Sequence, residues 1–422
     1  MYALVDCNSF FCSVEKVFHP GLEGKPVCVL SSNDGCIVAL TPEAKAIGLR
    51  RGTPLFKAHD LVSRHGVKVF SGNMRLYAAM SRRVTSILRQ SILYVENYSI
   101  DESFCDLSGY AQHYDLGKFM RGVAEKIRLW TDIPVSVGIA PTKTLAKLGS
   151  KFAKTYRGYH GVCLIDNEEK RRKALEHFSL ADVWGIGRHT LERLSYYGIH
   201  TPIDFADCSE SWVRANLKKS GVQTWQELNG HPCISTVEAT RNKSICTSRS
   251  FGRMVADHET LKAAVARFAT SCANKLRGQN AVAGQVTVFV CSNRHRDDLR
   301  QHENCDTATF VTPTADTLEI VRTTLDLLCR IYRSGVMYKK AGVCLGHISS
   351  NSQLQLDLFD PISLRPQRNG LMQTMDRLNH RFGLKTVRVA VEGGRHQAWD
   401  ARSEHRSSDY LTDIDGILTI RI

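Results

Sequence analysis

An adjacent pair of carboxylates, set between two short apolar segments, constrains this chain more than any other feature. Residues 98–105 are YSIDESFC, with Asp101 and Glu102 at their centre. The apolar and β-branched residues on either side are typical of strands, so the segment predicts a β-hairpin with both acids at or beside its turn. Two carboxylates held close together repel unless a cation neutralises them. The pair therefore favours a site of oxygen ligands for a hard metal such as Mg²⁺, and an ordinary acidic turn is the alternative.

The N-terminus supplies a third acid. Residues 2–8 are YALVDCN, which predicts a short apolar strand that ends on Asp6, and a helix is expected from Ser9 to about Phe18. An acid at the end of a buried strand is costly unless something pairs with it. Asp6, Asp101 and Glu102 could together hold two divalent ions, the arrangement used for in-line phosphoryl displacement.

The segments LVDCNSFFCSVE and YSIDESFCDLSG, taken together, resemble the motifs of the Y-family translesion DNA polymerases, and within them the UmuC-type catalytic subunits of bacterial DNA polymerase V. The resemblance extends through nearly the whole chain. It implies an enzyme that adds deoxynucleotides to a primer 3′ end opposite damaged template DNA, in SOS mutagenesis and DNA repair. It also implies two Mg²⁺ ions, with Asp6, Asp101, Glu102 and the backbone carbonyl of Cys7 as the catalytic and metal-binding groups.

The order of the predicted elements fits the same family. Strand, helix, hairpin, helix and strand follow one another as in a ferredoxin-like βαββαβ fold, and the order recurs in the C-terminal half. The resemblance implies an α+β, right-hand polymerase with a ferredoxin-like palm, small fingers, a helical thumb with a helix-hairpin-helix, and an α+β little finger. The expected boundaries are palm 1–20 and 72–170, fingers 21–71, thumb 171–237, little finger 243–348 and a C-terminal extension 349–422.

Four residues are expected to bind the incoming nucleotide. By resemblance, Phe11 is the steric gate, whose ring would collide with a ribose 2′-hydroxyl. Phe10 is counted with it, although adjacent helical aromatics usually mean core packing. Lys45 and Lys154 match positions that meet the triphosphate, against the alternative of solvated lysines on helix faces. Many relatives have a tyrosine where this chain has Pro42, so the contribution of the fingers to nucleotide binding is an open question.

Two further segments are expected to contact DNA. The sequence VWGIGR places Gly185, Gly187 and Arg188 in the hairpin of a helix-hairpin-helix, whose exposed backbone N–H groups can hold a phosphate without recognising bases. The segment SRSFGR offers Arg249 and Arg253 as phosphate contacts at the start of the predicted little finger.

The charge balance agrees with a polyanionic partner. The 422 residues have a formal charge of +14, which suits DNA, although membrane surfaces also attract basic proteins. No apolar stretch is long enough to cross a bilayer, and the first is too short for a signal peptide. The 14 cysteines contain no Cys-x-x-Cys pair, which favours buried, reduced thiols over disulfides or zinc. We therefore expect a cytoplasmic protein without a membrane partner.

The C-terminal extension begins with a peptide of unusual composition. The polar Gln355 is followed by the apolar Leu356, Leu358 and Phe359, which lie between polar neighbours without helical or strand periodicity. The peptide resembles the bacterial motif that binds the sliding clamp. The tail beyond it matches the extension of UmuC-type chains, which implies a processed UmuD dimer and RecA as partners beside primer–template DNA and deoxynucleoside triphosphates.

Two other functions use parts of the same pattern. A nucleotidyl cyclase also places two acids on a ferredoxin-like palm, but it has no need of a DNA-binding hairpin or a clamp peptide. A catalytically inactive scaffold of the same family is the second alternative. The presence of all three acids argues against it, and Pro42 argues for it.

Overall fold

The computed structural model describes residues 1–235, 242–353, 365–383, 386–394, 397 and 399–411. These residues belong to two compact units. The first comprises Met1–Glu238 with Glu404–Ile422, and the second comprises Ala239–Ser403. The predicted clamp peptide, with Gln355, Leu356, Leu358 and Phe359, lies outside the described residues.

The first unit contains most of the predicted elements. Its strands are β1 (Tyr2–Cys7), β2 (Val27–Leu30), β3 (Ile37–Leu40), β4 (Lys68–Ser71), β5 (Tyr94–Asn97), β6 (Glu102–Asp106), β7 (Val135–Ala140) and β8 (Val162–Leu164). Its helices are α1 (Phe10–Phe18), α2 (Pro42–Ala46), α3 (Leu55–Arg64), α4 (Met74–Ser91), α5 (Leu116–Thr131), α6 (Lys143–Thr155), α7 (Glu168–Glu176), α8 (Arg188–Tyr196), α9 (Pro202–Ala206) and α10 (Glu210–Leu228).

Side-chain caps determine where two long helices of this unit begin. Asn73 and Asp115 are the N-caps of α4 and α5. The Asn73 side chain accepts a hydrogen bond from the Leu76 N–H at 3.3 Å, and Asp115 accepts one from the Lys118 N–H at 2.9 Å. Each cap satisfies a backbone donor that the first helical turn leaves unpaired, so the regular helix begins one residue later.

A five-stranded sheet of order β5-β6-β1-β7-β8 forms the centre of the first unit. The strands β7, β1, β6 and β5 pair antiparallel, and β8 adds parallel to β7. This order confirms the predicted ferredoxin-like fold. Along the central strand β1, Ala3, Val5 and Cys7 pack in the core with α1, α4 and α5, whereas Leu4 packs with α6. Because alternate strand residues share a face, Asp6 lies on the same face as α6.

Helix α6 approaches this sheet unusually closely. A Cβ atom added to Gly138 of β7 would lie 2.0 Å from the Ala146 carbonyl oxygen and 2.1 Å from the Ser150 nitrogen, and one added to Gly149 would lie 3.1 Å from the Gly138 Cα. Two glycines therefore let backbone pack on backbone at this crossing. The contact fixes the distance between α6 and the strand that carries Asp6.

The small three-stranded sheet of the first unit, β3-β2-β4, corresponds to the predicted fingers. Strand β2 pairs antiparallel with β3 and parallel with β4. Helix α2 has Pro42 at its first position, and its N-cap Thr41 accepts a hydrogen bond from the Ala44 N–H at 3.3 Å. Two residues after α2 ends, Gly48 has a φ of +96°, as expected of a residue that stops a helix.

The Gly-Ile-Gly turn lies among the helices of the predicted thumb. Gly185 has a φ of +94°, and a Cβ there would lie 2.3 Å from the Thr224 hydroxyl oxygen, so the turn requires glycine. Gly187 is the N-cap residue of α8. The segment before the turn is a single 3₁₀ turn, Leu180–Asp182, which the extended backbone of Val183 ends. The first helix of the motif is therefore shorter than the sequence suggested.

The second unit has the predicted order of elements but a different sheet. Its strands are β9 (Ile245–Val255), β10 (Ala281–Ser292), β11 (Glu303–Thr314) and β12 (Tyr338–Ser350), and its helices are α11 (His258–Arg277), α12 (Thr317–Ile331) and α13 (Arg365–Phe382). The antiparallel sheet has the order β11-β10-β12-β9. If the four strands of this unit are numbered 1 to 4 along the chain, their order in the sheet is 3-2-4-1. The four strands β5-β6-β1-β7 of the first unit, numbered in the same way, have the order 2-3-1-4.

Part of the C-terminal extension completes the core of the second unit. Trp399 is 3% exposed, and its ring packs against Phe251 and Phe268. The Arg267 guanidinium lies 5.0 Å from the centre of the indole ring and pairs with Asp400 at 2.9 Å. These contacts indicate that the extension is an integral part of this unit's fold.

All fourteen cysteines are free, as their spacing predicted. Six are buried, but Cys246, Cys305 and Cys329 are exposed, so the expectation of buried thiols holds for only some of them. Among the described residues, no helix has the length and apolar character needed to cross a membrane.

The crossing of α6 and β7 gives a stability prediction. Gly138→Ala would place a methyl group inside the backbone of α6, so we expect it to lower the free energy of unfolding by about 3 kcal/mol or more. Gly122→Ala on α5, where a Cβ meets nothing within 4 Å, is the control and should be neutral or stabilising by about 0.5–1 kcal/mol. Urea unfolding of both variants measures the difference. If Gly138→Ala and Gly122→Ala are equally stable, α6 can shift away from β7 without a cost in free energy.

Candidate active site

Two of the three predicted acids are partners across neighbouring strands. Asp6 of β1 lies directly opposite Glu102 of β6 in the antiparallel register. Beside this pair, the Cys7 N–H donates to the Asp101 carbonyl oxygen at 2.9 Å. Asp6 and the adjacent pair of Asp101 and Glu102, from distant parts of the sequence, therefore lie at one end of the sheet.

The turn that presents Asp101 is held by a residue that the sequence analysis did not single out. The Ser99 hydroxyl donates to Asp101 Oδ1 at 2.5 Å and accepts from the Glu102 N–H at 3.0 Å. A serine two residues before an aspartate is a frequent turn pattern, so this contact could have been inferred. It fixes both the turn and the direction of the Asp101 carboxylate.

Two lysines of α6 neutralise the acids. Lys154 Nζ donates to Asp6 Oδ1 at 3.0 Å, and Lys147 Nζ donates to both carboxylate oxygens of Glu102 at 2.8 and 2.9 Å. The resemblance had placed Lys154 at the triphosphate. Both lysines bind the predicted metal ligands in this structure.

Aromatic rings hold the ammonium group of Lys147. It lies 4.4 Å from the ring centre of Tyr98, 5.4 Å from that of Trp184 and 5.9 Å from that of Phe104. Such cation–π contacts stabilise an ammonium group most when it is shielded from water. Trp184 directly precedes the Gly-Ile-Gly turn, so the start of the predicted thumb contributes to the surroundings of Glu102.

Burial raises the pKa of the Asp6 carboxyl, the nearby charge of Asp101 raises it further, and the ammonium group of Lys154 only partly offsets the increase. The carboxylate is therefore not fully compensated by its protein neighbours. An additional cation beside it would favour the ionised form.

The predicted nucleotide-binding residues line the same cleft as the acids. This cleft has a volume of about 770 Å³, and the predicted residues on its walls are Asp6, Cys7, Phe10, Phe11, Lys45, Asp101, Glu102 and Lys154. The basic pair Arg50 and Arg51 lines it as well. A cleft lined by both acidic and basic side chains suits a ligand that combines a metal ion with phosphates.

The two phenylalanines of the cleft have different surroundings. Phe10 is 3% exposed and belongs to the core, as its helical position suggested. Phe11 is half-buried, and its ring stacks on that of Tyr77 with 4.5 Å between ring centres and 16° between planes. No feature of the sequence had indicated Tyr77.

A second cleft, of about 630 Å³, shares several residues with the first. Asp6, Lys45, Glu102 and Lys154 line both clefts, and Pro42 lines only the second. Proline offers no side-chain hydrogen-bond donor here, which leaves Lys45 as the polar contribution of α2.

The donor groups fit a hard divalent ion. Within the described ranges, no three acidic, histidine or cysteine side chains meet closely enough to ligate one ion. An ion here would therefore bind one or two carboxylates and take its other oxygens from the Cys7 carbonyl, from phosphate or from water. Mg²⁺ commonly binds in this way.

The other predicted DNA contacts lie on exposed surfaces. Arg188 pairs with Glu192 at 3.2 Å on α8, next to Gly187. In the second unit, Arg249 and Arg253 are exposed on β9. Within the first unit, Gly185, Gly187 and Arg188 do not line the cleft that holds the acids.

Comparison with known proteins identifies the family. Residues 5–151 match the impB/mucB/samB family, residues 242–358 match the C-terminal domain of that family, and residues 369–420 match a domain of unknown function, DUF4113. The chain is 39% identical to the protein UmuC of Salmonella typhimurium over the full length of both. It is 38% identical to the protein ImpB of Salmonella typhimurium, over 98% of this chain and 97% of the relative.

Solved structures show the same fold. A Y-family DNA polymerase chimera of Dbh and Dpo4 matches with a TM-score of 0.65 at 22% identity, over 83% of this chain and 99% of that one. The insertion ternary complex of Dbh DNA polymerase matches with a TM-score of 0.55 at 21% identity, over the same shares. The fold is therefore that of the right-hand Y-family polymerases, as predicted.

The chain belongs to the impB/mucB/samB family of Y-family DNA polymerases. Enzymes of this class are metal-dependent. The chain is a DNA-directed DNA polymerase of the UmuC type, a translesion enzyme of SOS mutagenesis, which confirms the prediction of its activity.

The contact between Lys147 and Glu102 predicts how the site binds ions. At about 4 Å, a like charge opposes a bound cation by roughly 1–4 kcal/mol, depending on solvent screening. We therefore expect Lys147→Met to tighten Mn²⁺ binding by the DNA-free protein by about tenfold or more. Lys151→Met, whose lysine pairs with Asp182, is the control and should change little. Titration followed by electron paramagnetic resonance measures both. If the Mn²⁺ affinity of Lys147→Met is unchanged, Glu102 is not part of the metal site.

Proposed function

We propose that this polymerase uses Asp6, Asp101 and Glu102, with the Cys7 carbonyl, to hold two Mg²⁺ ions at the primer end. The primer 3′-hydroxyl attacks the α-phosphate of a deoxynucleoside triphosphate, and pyrophosphate leaves. When bound, the ions lower the pKa of the attacking hydroxyl and neutralise charge on the triphosphate. The observation that supports this proposal is the meeting of all three acids with Phe11, Lys45 and Lys154 on one cleft.

The acids differ in their surroundings, which suggests how they divide the work. Asp6 and the Cys7 carbonyl lie together at the end of β1. These two groups suit the ion that binds the triphosphate. Asp101 lies on the turn, held by Ser99, where its carboxylate is oriented before substrate arrives. Such pre-orientation lowers the reorganisation needed during the reaction. Glu102 completes the site near the attacking hydroxyl.

Basic residues around the cleft bind the triphosphate. Lys154 pairs with Asp6 in this structure, and a cation at Asp6 would release its ammonium group for phosphate oxygens. Lys45 and the basic pair Arg50 and Arg51 approach from the fingers. Arginine can bind two phosphate oxygens at once, which compensates in part for the contact that Pro42 cannot make.

Phe11 selects the sugar by exclusion. Its ring is on the wall of the cleft beside the acids and rests on Tyr77. A 2′-hydroxyl on the incoming nucleotide would meet this ring, so deoxynucleotides fit better than ribonucleotides. Phe10 supports α1 from the core.

Other parts of the chain bind DNA and partner proteins. The backbone at Gly185 and Gly187, with Arg188, suits a phosphate of the duplex, and Arg249 and Arg253 suit further phosphates. The formal charge of +14 adds a general attraction to DNA. Residues 355–359 bind the sliding clamp. A processed UmuD dimer and RecA complete the assembly, which acts on DNA in the cytoplasm.

Loss of Asp101 tests the metal site directly. We expect Asp101→Ala to reduce Mg²⁺-dependent primer extension about a thousandfold or more, because a bound ion contributes several kcal/mol to the reaction. DNA binding should be nearly unchanged. Asp106→Ala at the other end of β6, whose side chain bonds only Ser108 among the described residues, is the control. Extension and DNA affinity are measured on both purified variants. Retained extension in Asp101→Ala would contradict the assignment.

The clamp peptide gives a second test. We expect the double change Leu358→Ala and Phe359→Ala to weaken clamp binding by about a hundredfold, since two apolar anchors can supply a few kcal/mol. Long-tract synthesis should fall while single-nucleotide addition on short primers persists. The control changes the nearby Ile362 and Leu364 to alanine. A lower melting temperature of the double variant, with loss of single-nucleotide addition, would instead indicate a role in folding. If the double variant binds the clamp as tightly as the unchanged protein, the proposal is wrong.

A further inference from the structure

The C-terminal tail returns to the first unit close to the active-site helix α1. The His405 N–H donates to the Ser71 hydroxyl at 2.9 Å, and the Ser71 N–H donates to the His405 carbonyl at 3.0 Å. Arg406 forms an isolated parallel bridge with Ser71 at the end of β4. We call the segment His405–Tyr410 the docked tail.

Several independent contacts hold the docked tail. The Asn73 side-chain amide donates to the Ser407 carbonyl at 3.1 Å and to the Ser408 carbonyl at 3.3 Å. Tyr410 stacks on Phe18 of α1, with 4.7 Å between ring centres and 16° between planes. Because backbone, amide and aromatic contacts all contribute, loss of one side-chain group should not detach the segment.

One contact of the docked tail reaches a buried carboxylate. The Ser407 hydroxyl donates to Glu15 Oε1 at 3.0 Å, and the Tyr77 hydroxyl donates to the same oxygen at 2.6 Å. Glu15 and Tyr77 are both 0% exposed. Glu15 Oε2 has no hydrogen-bond partner within the described residues. The two hydroxyl groups are therefore the side-chain donors that the structure shows for this carboxylate.

The same carboxylate is linked to the proposed steric gate. Tyr77 bonds Glu15 through its hydroxyl and stacks on Phe11 through its ring, 4.5 Å away. Phe11 and Glu15 are four residues apart on α1, so they lie on one face of the helix. The position of the Tyr77 ring therefore depends on both Phe11 and Glu15.

Burial makes this link sensitive to the tail. Desolvation raises the pKa of Glu15, and the hydrogen bonds from Tyr77 and Ser407 oppose the increase. A buried carboxylate that loses one of two donors must find another partner or become protonated. Either change alters the bond that holds the Tyr77 hydroxyl, and so the surface on which Phe11 rests.

We propose that Ser407 of the docked tail is a positioning residue for the steric gate, acting through Glu15 and Tyr77 on Phe11. The C-terminal extension thereby contributes to the exclusion of ribonucleotides. This inference rests on the proposed function of Phe11 as the gate. Ser407 itself lines neither cleft that holds the acids.

The test compares full-length variants on the same primer–template, with the same partner proteins. The measured quantity is the ratio of kcat/KM for a deoxynucleotide to that for the matching ribonucleotide. Ser407→Ala should lower this ratio roughly threefold to tenfold, a value in the lower part of the coupling range for contacting residues. Ser407→Thr, which keeps the hydroxyl, should restore it. Ser408→Ala, an exposed neighbour that binds Asn73 only through its backbone, should leave it unchanged.

A double-mutant comparison decides whether Ser407 acts through the gate. In a Phe11→Ala background, Ser407→Ala should have no further effect on the ratio. An equal effect in both backgrounds would overturn the proposal, because Ser407 would then act elsewhere. Phe11→Ala alone is the test of the gate: if it leaves the ratio unchanged, the proposed gate fails and this inference fails with it.

A second variant covers the case in which Ser407→Ala does not fold. Tyr77→Phe removes the other hydrogen bond to Glu15 and keeps the ring that supports Phe11. It should lower the selectivity ratio in a protein that stays folded at the assay temperature, with a melting temperature lowered by the loss of one buried hydrogen bond. Normal selectivity in both Ser407→Ala and Tyr77→Phe, beside reduced selectivity in Phe11→Ala, would also overturn the proposal.

Discussion

Repulsion between carboxylates is the constraint on which the site depends. Asp6 and Glu102 lie opposite each other on neighbouring strands with Asp101 beside them, and their negative charges repel unless positive charge compensates them. Lys147 and Lys154 supply the compensation from one face of α6. They can reach the acids because Gly138 lets α6 pack directly on the sheet. The charge compensation in the active site therefore requires a glycine in the middle of β7.

Much of the first unit could be predicted because its information is local. Apolar periodicity identified the strand that ends on Asp6, the helix that follows it and the hairpin with Asp101 and Glu102. The acids were recognised because the pair in the hairpin turn is joined by Asp6 at the end of an apolar strand, and because both segments resemble motifs of one polymerase family. Their assembly on one cleft followed from the ferredoxin-like order of elements, in which the central strand pairs with the hairpin.

What could not be predicted depends on contacts between distant residues. The support of Phe11 by Tyr77 requires α1 and α4 to be packed first, and the bond between Ser407 and Glu15 joins positions 392 residues apart. The second unit shows the same limit at the level of topology. Its elements follow the same order as those of the palm, yet the strands are arranged differently in the sheet. The order of elements along a chain does not fix which strands become neighbours.

The docked tail also affects how a shortened form of this enzyme should be regarded. The second of the two polymerase family segments ends at residue 358. A fragment without the extension would therefore contain both segments, and with them all the predicted catalytic residues. Such a fragment would expose the carboxylate of Glu15 and the ring of Phe18 to water, and it would lack Trp399 from a hydrophobic core. Truncation would therefore remove part of the protein interior, and properties measured on the fragment would not represent those of the intact polymerase.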